Sequence, residues 1–214
     1  MLIVTIPTQL HEQLHLGLYN LGRDNIVRMG RGDSWSTIGS TTYRARGHRN
    51  GDEGEGDSTG GPEPQREHLG AWPTLVIEAG HSQSLEALRG GMKWWFGVSD
   101  HQVKIVLLTK FDTQQMAAVI EKWVEIQAPA RQGATTTRAA AQLRPDCDQI
   151  ITITQNPGTN RDNPTSYTVT RGALRLEFDL LFLQQPQPGS AEGDVIIDIP
   201  DLQRWAARLW RLVP

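Results

Sequence analysis

Leu10, Leu14, Leu18 and Leu21 recur at spacings of four, four and three. They form one apolar stripe of a helix that opens at Thr8, behind Pro7, and runs to about Met29, where Gly30 and Gly32 stop it. Residues 1 to 6 (MLIVTI) read as a short strand or an extended apolar lead, and 35 to 46 (WSTIGSTTYRAR) as a strand bent at Gly39. From Gly47 to Gly61 the chain carries six glycines and several acids, the composition of a mobile loop. PTLVIEAG at 73–80 is a short apolar strand with one acid in it, and 84–97 a helix weakened by Gly90 and Gly91. Residues 102–109 form a nearly continuous apolar run, the mark of a strand buried on both faces.

Further on, 113–127 (TQQMAAVIEKWVEIQ) reads as an amphipathic helix and 128–148 as a connector. Strand-like segments follow at 149–155, 165–171 and 174–183, then DVIIDI at 194–199 and a helix at 201–212 carrying Leu202, Trp205, Leu209 and Leu212. Helices and strands in this order predict an α/β (α+β) fold around a central mixed sheet flanked by helices. Trp94, Trp95, Trp123, Trp205 and Trp210 fall on predicted helices at core-facing spacing, so packing is the expected role of most of the seven tryptophans.

Composition narrows the function classes. The chain has 214 residues and a formal net charge of −3, so broad coating of nucleic acid by charge alone is not expected. Its one cysteine, Cys147, excludes an internal disulfide framework and a multi-cysteine zinc module. No apolar run approaches the roughly 20 residues that span a bilayer, and Met1 to Pro7 lacks a signal-like pattern, so an intracellular location (nuclear or cytoplasmic) and no membrane partner are expected. Only four basic residues are lysines, at 93, 104, 110 and 122.

Three constellations carry chemistry. His11-Glu12-Gln13-Leu14-His15 is a formal H-E-x-x-H that puts two histidines on one helix face. It is the signature of a zinc metallopeptidase with Glu12 as general base, although no third ligand sits at a familiar downstream spacing. The plainer reading is a solvated helix face. Gly80-His81-Ser82-Gln83-Ser84 nearly reproduces a nucleophile elbow, but Ser84 replaces its second glycine and the only later histidine is His101. A helix cap by Ser82 or Ser84 is the better reading. The third set is Asp57, Glu78 and Lys93. A carboxylate inside LVIEAG is costly unless a cation or strong donor meets it, and two carboxylates from adjacent strands can share Mg²⁺. Against this stand plainer roles: a loop acid for Asp57, a strand-end charge pair with Arg89 or Lys93 for Glu78, and a solvated lysine.

The segment PTLVIEAGHSQSLEALRGGMKWWFGVSDHQVKIVLLTKFD, with IPTQLHEQLH and STIGSTTYRAR before it, resembles restriction-endonuclease-like proteins of the PD-(D/E)XK superfamily, in a branch abundant in filamentous fungi. It is similar, more distantly, to endonuclease-like proteins expanded in cyanobacteria. The resemblance covers roughly residues 3 to 127. It implies an order of helix, hairpin bearing the acids, helix and strand, with a core at 1–127, a connector at 128–148, and C-terminal strands and a terminal helix at 149–214 packed on the same domain. Asp57 and Glu78 stand for the family's acids. Gly80 stands where its lysine is expected, and Thr74 where the cyanobacterial pattern has aspartate.

The resemblance therefore implies a metal-dependent nuclease hydrolysing phosphodiester bonds in DNA or RNA. Mg²⁺ or Mn²⁺ would lie on Asp57, Glu78 and the Ala79 carbonyl. Lys93 is the displaced lysine, with Lys104 as the fallback, and Gln83 and Glu12 are supporting groups. Arg44, Arg46, His48 and Arg49 are backbone contacts to nucleic acid. Such folds often dimerise, and the 149–183 strands are the element offered for a homodimer. The rival readings are a degenerate module that binds nucleic acid or protein without cutting, and the zinc metallopeptidase.

Overall fold

The computed structural model describes residues 8–39, 41–44, 53–80, 82–128 and 143–213. Helix α1 spans Gln9–Arg28. Thr8 caps it, its hydroxyl accepting from the His11 N–H, and Leu10, Leu14 and Leu18 are buried as the stripe predicts. Each such leucine withdrawn from water contributes about 1.5–3 kcal/mol. Strands β1 (Trp35–Thr37), β2 (Thr42–Arg44), β3 (Glu53–Glu55), β4 (Ser58–Pro62) and β5 (Leu75–Gly80) follow, then helix α2 (Leu85–Val98), capped by Ser84. Next come β6 (Ile105–Asp112), β7 (Ala117–Gln127), β8 (Leu143–Gln155), β9 (Tyr167–Thr170) and β10 (Leu174–Leu176). Helix α3 (Phe178–Phe182), β11 (Val195–Ile197) and helix α4 (Ile199–Arg211) complete the chain.

Seven strands form one sheet in the order β1-β4-β5-β6-β7-β8-β9. Only β5 and β6 pair in parallel, joined by α2, and every other neighbouring pair is antiparallel. The protein is therefore mixed α/β, with a mostly antiparallel central sheet flanked by helices. Alternation along β5 decides which layer covers each face. Leu75, Ile77 and Ala79 join α1 and α4 in one core. Val76 joins Leu88, Met92, Trp95 and Phe96 of α2 in the other. No helix among the described residues is long and apolar enough to cross a membrane.

Several expectations change. The segment 113–127 is not a helix. Met116, with φ of +47°, closes a hairpin, and β7 pairs residue by residue with β6 from Ala117↔Asp112 to Val124↔Ile105. Val119, Ile120, Val124 and Ile126 are β-branched and suit a pleated surface, so sheet pairing outweighs a helical period that the same string also satisfies. The 47–61 stretch contains β3 and β4 instead of loop alone, while 45–52 lies outside the described residues. β8 begins inside the supposed connector, at Leu143, and joins the same sheet as β7. The bent strand at 35–46 divides into β1 and β2, which sit in different sheets, and part of the 174–183 strand is α3. Residues 1–7 and 129–142 lie outside the described residues.

α4 packs across α1 at a close approach. A Cβ on Gly17 would lie 3.1 Å from the Trp205 ring, whose Nε1–H donates to the Gln13 carbonyl at 2.8 Å. That contact holds the first turns of α1 over one end of the sheet, where the chemistry gathers.

Candidate active site

Asp57 immediately precedes β4, and Ser58 pairs with Ile77 of β5, so one step outward Asp57 faces Glu78 across the hairpin. Asp57 Oδ2 accepts the Ala79 N–H at 2.7 Å, and Glu78 Oε1 accepts the Trp95 Nε1–H at 2.6 Å. Among the described residues, the second oxygens, Asp57 Oδ1 and Glu78 Oε2, have no hydrogen-bond partner. Burial, reinforced by repulsion from Asp57, pushes the Glu78 carboxyl up to about 8, against the pull of the Trp95 N–H and His11.

The first turns of α1 bring histidines to the same place. His11 Nε2 lies 3.5 Å from Asp57 Oδ2, and this contact holds the imidazole above its ordinary 6.5 against the opposing effect of burial. His15 is buried, with Nδ1 2.8 Å from Ser58 Oγ, and burial lowers its pKa. Glu12 bridges the rings, at 3.7 Å from His11 Nδ1 and 3.4 Å from His15 Nε2. A helical wheel places Glu12 roughly opposite the leucine stripe. In the structure it borders the acids through the two histidines.

The structure thus brings together Asp57, Glu78, Ala79 and, through its histidines, Glu12. Ala79 reaches Asp57 by its N–H. The lysines named from sequence are not brought in. Lys93 is exposed on α2, two residues from Trp95, and at 100° per residue its side chain leaves the helix on nearly the opposite side from the indole that reaches Glu78. Lys104 lies level with Thr74, roughly 13 Å down the strands from the Glu78–Leu108 row, and its ammonium donates to the His101 carbonyl at 2.7 Å. Glu78 pairs with neither Arg89 nor Lys93, because Arg89 is taken by Glu121. Gln83 is exposed, and its carbonyl accepts from Lys110 Nζ at 2.8 Å. Arg44 is exposed and paired with Glu53 at 2.8 Å, while Arg46, His48 and Arg49 lie outside the described residues.

A lysine at position 80 would have to displace Leu88. A Cβ on Gly80 would come within 2.8 Å of Leu88 Cδ1. Lys110 instead stands level with Gly80 on β6. Its place at this end of the sheet depends on the parallel β5–β6 register, which no local sequence pattern carries. His11 and His15 were visible as a spaced pair, but their link to Asp57 and Ser58 was hidden while 47–61 read as loop. The Trp95 donor carried no signal beyond core spacing. A scan against protein-family models finds no match for the chain, and a search of curated proteins finds none either.

Proposed function

We propose that the protein is a metal-dependent phosphodiesterase of the restriction-endonuclease-like type, acting on DNA or RNA. One observation carries the reading: Asp57 and Glu78 converge from antiparallel neighbours at one end of a mixed sheet, where burial, with the Asp57 charge added, raises Glu78 to about 8. The chain order α1, β1 to β3, the β4–β5 pair, α2 and β6 supports it, because the resemblance implies helix, acid-bearing hairpin, helix and strand.

The unpartnered oxygens of the two carboxylates fit a hard divalent cation, and Asp57 and Glu78 would hold Mg²⁺ or Mn²⁺. Such an ion supplies a bound water of lowered pKa and polarises a phosphate oxygen. The Ala79 N–H and Trp95 N–H each fix one oxygen of a carboxylate, so the pair is oriented before any ligand arrives. In this reading Lys110 takes the place of Lys93 as the cation at this end of the sheet, set to offset charge on the phosphate.

Incubating the protein with Mg²⁺ or Mn²⁺ and plasmid DNA, single-stranded DNA or RNA tests the reading. Cleavage is expected, with Asp57→Ala and Glu78→Ala each lowering it by about 10³-fold. Cleavage unchanged in both variants overturns the assignment. A second reading, a module that binds nucleic acid without cutting, draws on the glycine at position 80, against which Leu88 packs. It predicts binding without cleavage under every metal tried.

A further inference from the structure

We infer that the opening turns of α1 form a separate metal site, in which His11, Glu12 and His15 hold a borderline divalent ion of the Zn²⁺ or Co²⁺ class in preference to Mg²⁺. The inference goes beyond the phosphodiesterase reading and does not need it. The donor atoms of the three residues all lie within 4.8 Å of one another. Ligands about 2.0–2.1 Å from a tetrahedral zinc stand roughly 3.3–3.4 Å apart. His15 Nε2 is 3.4 Å from one Glu12 oxygen and His11 Nδ1 is 3.7 Å from the other, so small rotations bring the set to that geometry.

The outer nitrogens strengthen the case. A ligating histidine commonly engages its second nitrogen with a carboxylate or another fixed polar group, which sets the tautomer and aims the ring. Both histidines here do so, through consecutive residues at the start of β4. His11 Nε2 faces Asp57 Oδ2 at 3.5 Å, and His15 Nδ1 meets Ser58 Oγ at 2.8 Å. With the protons on those nitrogens, His11 Nδ1 and His15 Nε2 present lone pairs toward Glu12. His11 Nδ1 is buried and has no hydrogen-bond partner, a state that a metal bond would resolve. Two imidazoles and one carboxylate favour zinc-class ions over magnesium, which seeks oxygen. Three protein ligands leave a fourth position, and the Glu12 side chain, 45% exposed, opens it to solvent.

The test titrates the full-length protein with Co²⁺, following visible ligand-field absorption and calorimetry, and repeats both with Mg²⁺. Wild type is expected to bind Co²⁺ with a low-coordinate spectrum. His11→Ala and Glu12→Gln should each weaken Co²⁺ by 100-fold or more while Mg²⁺ binding is retained, with circular dichroism confirming the fold. Ser58→Ala, which removes only the group aiming His15, should weaken Co²⁺ by about 10-fold. Unchanged Co²⁺ affinity in His11→Ala and Glu12→Gln overturns the site. So does Co²⁺ binding that is lost in Glu78→Gln but kept in both α1 variants, since the ion would then sit on the strand carboxylates. Absence of nucleic-acid cleavage touches the phosphodiesterase reading alone.

Discussion

Glu78 and Glu121 stand in one row of the sheet, either side of Leu108, and the same helix faces both. α2 treats them differently. Glu121, only 1% exposed, receives a two-point contact from Arg89, at 3.0 and 2.5 Å, and the Trp123 indole N–H at 2.9 Å. Glu78 receives one indole N–H, and a second carboxylate beside it. Next along β7, and equally buried, Lys122 meets Asp148 at 2.6 Å and Glu177 at 2.7 Å. Where charge serves the fold it is matched by opposite charge within the chain. At Asp57 and Glu78 two acids are gathered against one histidine, His11, 3.5 Å from Asp57, an arrangement that recurs at sites that bind or react.

The sharpest way to break this contrast is to remove one member of each set. Glu121→Ala leaves Arg89 and the Trp123 indole without their carboxylate, and since Arg89 is 41% exposed, a loss of about 1–3 kcal/mol in urea unfolding is expected. Glu78→Gln instead removes a carboxyl that must take up a proton to fold at pH 7, so it should be at least as stable as wild type. If Glu78→Gln costs as much as Glu121→Ala, the two carboxylates are alike and the contrast fails.

Titration gives the next effect. The Glu78 carboxyl, ordinarily near 4.5 and lifted to about 8 when folded, keeps a proton that the unfolded chain has lost across that interval. The folded state binds more protons there, so stability falls as pH rises from about 4.5 to about 8, by on the order of 3 kcal/mol. Unfolding midpoints measured across this range should slope downward in wild type and be flatter in Glu78→Gln. Equal slopes would show that the lifted carboxyl is not Glu78.

A smaller effect tests position 80. Gly80→Lys should cost about 1–3 kcal/mol by driving into Leu88, and the cost should shrink when Leu88→Ala is added. Smallest of all, Arg44→Ala breaks a solvent-exposed pair with Glu53 and should change stability by less than about 1 kcal/mol. That variant is the control that separates buried charge from surface charge.

These contrasts also show what a sequence can carry. α1, α2 and α4 were legible because a cap and a stripe are local: Thr8, Ser84 and Asp198 each accept from a backbone N–H three residues on. β5 and β6 were legible as apolar runs. β7 was not, since Ala117, Ala118, Ile120 and Val124 satisfy a helical period and only the partner strand decides. β4, Ser-Thr-Gly-Gly-Pro, reads as a turn. Gly60 is there because a Cβ would come within 2.5 Å of the Tyr19 hydroxyl and 2.8 Å of the Trp35 ring, a demand made by residues far away in the chain. At the candidate site, Asp57 and Glu78 stand out by residue type, one in a glycine-rich acidic stretch and the other in an apolar strand. Which lysine stands at this end of the sheet is not legible, because placing Lys93, Lys104 and Lys110 needs strand register and helix facing.

Calorimetric titration of Mg²⁺ bears on the proposal that Asp57 and Glu78 hold a divalent cation. Wild type should bind one ion, and Asp57→Asn combined with Glu78→Gln should abolish that binding while His11→Ala leaves it in place. Mg²⁺ binding undiminished in the double variant would contradict the account.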